Sequence, residues 1–174
     1  MSDFIQQTLT LPVLSRIRRN HGLEHATINI LSERFPNTTL IGRSDHQGFY
    51  LYGQVSTEVL RQVVDEALTR LRDGEHSLAI HSNCGTNLVA AGMLTGMASF
   101  FSLLGSKDEG WRERLERLPL AIAVSTLALI ISQPLGRAAQ QHLTTQPDPG
   151  PLEVMSVHLI HSGRVKAHRV LTRN

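Results

Sequence analysis

The stretch "NHGLEHATINI" packs two histidines and a carboxylate, His21, Glu24 and His25, into five residues. On a helix, positions 21 and 25 stand one above the other, so both imidazoles can be offered to one ion, with Glu24 on the flank of the same stripe. That is the H-x-x-E-H order of inverted zinc hydrolases, in which two histidines hold the metal and the glutamate handles the proton of a water. Even an open catalytic zinc takes three protein ligands, so this pair needs help from elsewhere in the chain.

"HSNCGTN", residues 81–87, offers that help through His81 and the chain's single cysteine, Cys84. A His-x-x-Cys step lets two side chains converge on one tetrahedral ion, thiolate with imidazole favours zinc, and Gly85 permits the tight turn. His21, His25, His81 and Cys84 together would close a structural shell; three of them plus water would make a catalytic one, with Glu24 as base. The spacing leaves both open. Taken singly, each residue has a plainer explanation: a solvated histidine pair, or a cysteine buried for packing. His158 and His161 alternate to opposite faces of a strand and make a poor ligand pair; with His168 they are expected at the surface. Arg164, Lys166, Arg169 and Arg173 read as a charged edge strand that discourages sheet-to-sheet pairing.

The elements that must position these groups follow from periodicity. About Leu11 to Phe35 reads as a helix stopped by Pro36; "TTLIGR" and "FYLYG" read as strands around "SDHQG". Ser56 caps a helix in which Val59, Leu60, Val63, Val64, Ala67, Leu68 and Leu71 recur at the helical period, with Gly74 as its stop. "SLAIH", residues 77–81, is expected as a strand carrying His81 at its end. After the "QPDPGP" linker, a terminal hairpin turns at Ser162 and Gly163.

Between these lie two uncharged stretches, residues 86–105 and 118–136, each long enough to cross a bilayer as a helix and separated by the charged "SKDEGWRERLER". A buried hairpin in a soluble protein is the other way to use them, but two such spans are hard to bury in so small a domain. Gly92 and Gly96 form a GxxxG step that suits close helix packing in lipid, and Trp111 falls where an interfacial aromatic belongs. The expected fold class is therefore α+β: residues 1–85 and 138–174 form one small mixed domain with the metal site, and residues 86–137 form an inserted two-helix transmembrane hairpin.

Composition narrows the partners. With 17 basic and 15 acidic residues and only 5 % aromatics, the chain lacks the basic, aromatic-interleaved stripe of a nucleic-acid binder, and no nucleic-acid partner is expected. One cysteine excludes an intramolecular disulfide framework. Asp3 precedes the apolar residues of the N-terminus and the arginines follow them, the reverse of a secretory signal, so no cleavable signal is expected. Phe4, Ile5, Leu9, Leu11, Val13, Leu14 and Ile17 suit either a membrane interface or a packed helix. Arg16, Arg18, Arg19 and Arg137 flank one side of the hairpin; Lys107, Arg112, Arg114 and Arg117 lie in its loop. The positive-inside rule tilts toward cytoplasmic chain ends in a bacterial inner membrane.

"NHGLEHATI", "HSNCGTN" and "QQHLTTQPDPGPLEV" occur in an order and spacing that resembles the uncharacterised bacterial YqhQ-like membrane proteins and their shorter relatives. The resemblance covers roughly residues 18–155 and implies a membrane protein, with His21, Glu24, His25, His81 and Cys84 at corresponding positions. This chain is shorter, with two apolar spans and a terminal hairpin. Two functions follow as expectations. One is a membrane-associated zinc hydrolase acting on a peptide, amide or ester. The other is a metal-stabilised scaffold or assembly protein that works with a second copy or a membrane-protein partner, Glu24 orienting a histidine from behind.

Overall fold

The structure, a computed structural model, describes residues 9–104 and 110–173, without the side chains at 113 and 114. Phe4, Ile5, Lys107 and the side chain of Arg114 lie outside the described residues. The chain divides into two compact units, Met1–His81 with Gln141–Asn174, and Ser82–Gln140.

In the first unit, α1 (Pro12–Arg34) begins with proline at its first turn, where no donor is lost. It ends where the Phe35 N–H reaches the Leu31 carbonyl and Pro36 forbids another turn. β1 (Ile41–Asp45) and β2 (Gly48–Tyr52) pair antiparallel across a two-residue turn. Gly48 has φ +142°, and a Cβ there would lie 2.1 Å from the Val170 carbonyl oxygen, so only glycine fits. α2 (Thr57–Arg72) is capped by Ser56, whose Oγ accepts from the Val59 N–H. Its expected stripe of Leu60, Val63, Val64, Ala67, Leu68 and Leu71 is buried. β3 (Glu153–His161) and β4 (Ala167–Arg173) form the terminal hairpin, and the sheet runs β1-β2-β4-β3, antiparallel throughout. One sheet face, with Phe49, Leu51, Val157 and Val170, meets the apolar sides of α1 and α2 to form the core.

Three expectations are corrected here. "SLAIH" is not a strand: His76–Ala79 is a tight helical turn followed by extended Ile80. The Asn29 amide of α1 donates to the Leu78 and Ile80 carbonyls, so side chains rather than a neighbouring strand satisfy this backbone. The basic strand is not an edge, since β4 lies between β2 and β3. Arg169 is buried, ion-paired to Asp45 at 2.8 Å and stacked on Tyr50. His168 is buried too, 1 % exposed, with Nε2 3.2 Å from the Thr57 hydroxyl, whereas His158 and His161 are exposed as expected.

The second unit is a helical hairpin: α3 (Gly85–Leu103), the short α4 (Trp111–Glu116) and α5 (Leu118–Ala139), which ends in a wide turn at Gln140–Thr144. α3 and α5 are long and apolar enough to cross a membrane, and α3 has no buried residue. Leu88, Met93, Phe100, Ile122 and Ile131 are among the exposed side chains. Polar contacts within the pairing include Ser99 with Ser125 at 2.7 Å and the Gln140 amide donating to Asn87 Oδ1 at 2.7 Å. The GxxxG step does not make it: a Cβ on Gly92 or Gly96 would meet nothing within 4 Å. The close approach is instead at Gly136, where a Cβ would lie 3.0 Å from the Asn87 Cα.

Candidate metal centre

α1 places His21 and His25 one turn apart, their rings edge to face with centroids 4.2 Å apart and ligand-capable nitrogens within 4.8 Å. His21 Nδ1 lies 3.0 Å from the Thr144 carbonyl oxygen, and His25 Nδ1 lies 2.8 Å from that of Ala79. A carbonyl only accepts, so each Nδ1 carries the proton and donates it. The neutral imidazole then has its lone pair on Nε2. This is how metal-binding histidines are held, with the far nitrogen oriented by a backbone acceptor. The donor set therefore fits a metal ion.

His81 follows the tight turn, its ring centroid 5.8 Å from that of His25. Burial, and behind it the neighbouring His25, lower the pKa of His81 below the usual histidine range, which favours the neutral ring.

Two segments carry the orienting carbonyls, and α1 fastens both. Asn29 pins residues 78–80 as described above. On the other side, the Gln146 N–H donates to the Arg18 carbonyl at 3.0 Å, and the Arg18 guanidinium donates to the His142 and Thr145 carbonyls. Gly22 lets this segment come close, because a Cβ there would lie 2.6 Å from the Gln146 carbonyl oxygen. Glycine inside a helix costs about 1 kcal/mol relative to alanine, so its presence in "HGLEH" was the one sequence signal for this contact.

Glu24 is held against β1. It is buried, its carboxylate accepts from the Ser44 hydroxyl on β1, and it fills the notch left by Gly42, where a Cβ would lie 2.1 Å from Oε1. Burial raises its pKa, and the Ser44 hydrogen bond and the neighbouring His21 offset only part of that rise. Neither Gly42 nor Ser44 stands out in the sequence, because a strand glycine and serine carry no signal of what an opposing helix will aim at them. Cys84 belongs to the second unit, where it is the N-cap of α3 and its Sγ accepts from the Thr86 N–H at 3.4 Å.

An uncharacterized protein from a Picosynechococcus strain is 40 % identical over 139 residues, which is 74 % of this chain and 65 % of that protein. The chain thus spans 65 % of the relative's length. No solved structure matches. A family model matches residues 16–157, an interval that takes in "HGLEH", "HSNCGTN" and "QQHLTTQ", and the chain belongs to that family, the domain of unknown function DUF6391.

Proposed function

We propose that this protein is a membrane-associated metal-binding protein with a zinc centre built on α1. His21, His25 and His81 are the ligands from the first unit, and Cys84, three residues along the chain from His81, is the candidate for a further one. The observation that carries the reading is the pair of Nδ1–H···O=C bonds, which sets both α1 imidazoles in the tautomer a metal needs. Imidazole with or without thiolate is a zinc-favouring donor set. When bound, zinc supplies the Lewis acidity that makes water acidic near neutral pH.

On this reading the centre is a hydrolase acting on an amide or ester. Water adds across the acyl bond, its hydroxyl going to the acyl carbon and its proton to the leaving nitrogen or oxygen. Glu24 is the group that holds that proton in passage. A second reading, a structural centre in a scaffold or assembly protein, is favoured by one observation: the Glu24 carboxyl is occupied by Ser44 in the Gly42 notch. The two apolar helices support a bilayer as partner, with a second copy or another membrane protein as further partners. The motif order, which resembles that of YqhQ-like proteins, and the arginines flanking the hairpin support the bacterial inner membrane, with the α+β unit on the cytoplasmic side.

The test is metal content of the detergent-purified full chain, by elemental mass spectrometry, for wild type, His25→Ala, Cys84→Ala and Glu24→Gln. About one zinc per chain, lost in His25→Ala, is the expected result. A folded, metal-free wild type sinks the proposal. Cys84→Ala decides whether the thiol is a ligand. Glu24→Gln that keeps its zinc and loses turnover in an amide and ester screen supports the hydrolase; Glu24→Gln that loses zinc supports the structural centre.

A further inference from the structure

A cavity of about 330 Å³ lies in the first unit, lined by His76, Ser77, Ala79, Ile80, Gln141, Thr145 and Pro147. Its two walls are the same short segments whose carbonyls orient the imidazoles: Ala79, whose oxygen holds His25, lines one wall, and the other runs through Thr145, beside the Thr144 oxygen that holds His21. The wall segments are fixed to α1 by Asn29 on one side and Arg18 on the other. The floor is built from Ala79 and Thr145, both buried, while Ser77 and Gln141 are exposed at the mouth.

Its chemistry selects an occupant. None of the lining residues is Lys, Arg, Asp or Glu, and His76 is the one titratable group among them, so the lining itself gives a carboxylate, phosphate or ammonium no permanent counter-charge for the water it loses. Ile80, Ala79 and Pro147 give apolar contact, and the Gln141 amide and Ser77 hydroxyl offer both donors and acceptors. An acyl chain needs an apolar groove and leaves these polar groups unused; an uncharged peptide segment uses both kinds of surface. We infer that this cavity binds an uncharged peptide segment beside the metal centre, one or two residues with a small apolar side chain. The inference rests on the metal reading for its place beside a reactive centre, and on the cavity alone for its ligand.

The test uses the full chain in detergent with methyl-labelled isoleucine and threonine, and follows the Ile80 and Thr145 methyl signals by NMR. The probe is N-acetyl-alanyl-alanine amide, compared with the same dipeptide bearing a free carboxylate and with decanol. Saturable shifts are expected with the neutral amide. The carboxylate form should bind at least about tenfold more weakly, the penalty of about 1.4 kcal/mol or more for an uncompensated charge. Gln141→Ala should weaken amide binding and leave decanol unaffected; Ser77→Trp should block the mouth and abolish the response. No saturable shift, or an equal response to decanol, overturns the inference. Zinc uptake without peptide binding leaves the metal centre standing and removes the peptide site. Peptide binding without zinc uptake removes the metal centre and keeps the site.

Discussion

His168 shows what burial does to a single titratable side chain. Its Nε2 meets the Thr57 hydroxyl, and its buried Nδ1 has no hydrogen-bond partner among the described residues. Burial, and after it the charge of Lys166, hold the imidazolium below the ordinary histidine range, and a proton on Nδ1 would find no acceptor. The sign follows from proton counting. The unfolded chain takes up a proton near pH 6.5 while the folded chain does not, so stability is full above that value. It is lost as pH falls until the folded imidazole also protonates. His81 has a lowered value too and adds to the same slope. Urea denaturation at pH 7.5 and 5.5 should show wild type losing stability on acidification and His168→Leu losing less. An equal loss in the two proteins removes His168 as a source of the slope.

At the scale of elements, local rules carried the sequence reading furthest. Pro36 stops α1, and Ser56 and Gly74 bracket α2. Each signal acts within a few residues, so nothing distant could override it. What local rules missed was decided by partners far along the chain. Residues 77–80 have the composition of a strand, yet the Asn29 amide took their carbonyls into a tight turn. His168 has the alternation of a surface residue on an edge strand, until the order β1-β2-β4-β3 puts it inside. The candidate site divides the same way: the helical spacing of His21 and His25 was legible, and the β1 notch that receives Glu24 was not. Gly22 tests whether the element packing matters to the site. Helix propensity alone makes Gly22→Ala stabilising by about 1 kcal/mol. The Gln146 carbonyl in its way is backbone and does not yield cheaply, so the variant should loosen the 141–147 segment and with it the Thr144 hold on His21. Zinc affinity should drop about 10- to 100-fold, the usual cost of losing an outer partner of a ligand. Competition with a chromogenic chelator measures it, and an unchanged affinity in a more stable variant refutes the coupling.

For the whole molecule, the deciding quantity is the apolar surface of the second unit. A soluble protein that used α3 and α5 as core helices would bury them, yet no residue of α3 is buried and only 11 % of the most apolar window of α5 is buried. Exposed apolar patches beyond a few hundred Å² call for a partner or a bilayer, and two helices that satisfy their own backbone hydrogen bonds are what a bilayer accepts. The polar groups between the helices, Ser99 with Ser125 and Asn87 with Gln140, face one another. Gly136, against Asn87, is then the position where hairpin packing is most sensitive to size, and Gly92 and Gly96 are positions where it is not. Expressed in bacteria, the full chain should stay in the membrane pellet after alkaline carbonate washing, as an integral protein does. Gly136→Leu should lower its recovery in folded form from detergent, while Gly92→Leu should leave recovery unchanged, because the side chain enters open space. Release of wild type into the carbonate supernatant would show that the hairpin lies on a membrane or a partner instead of crossing one. Loss of folded protein in Gly92→Leu, with Gly136→Leu unaffected, would reverse the assignment of which glycine the hairpin packs on.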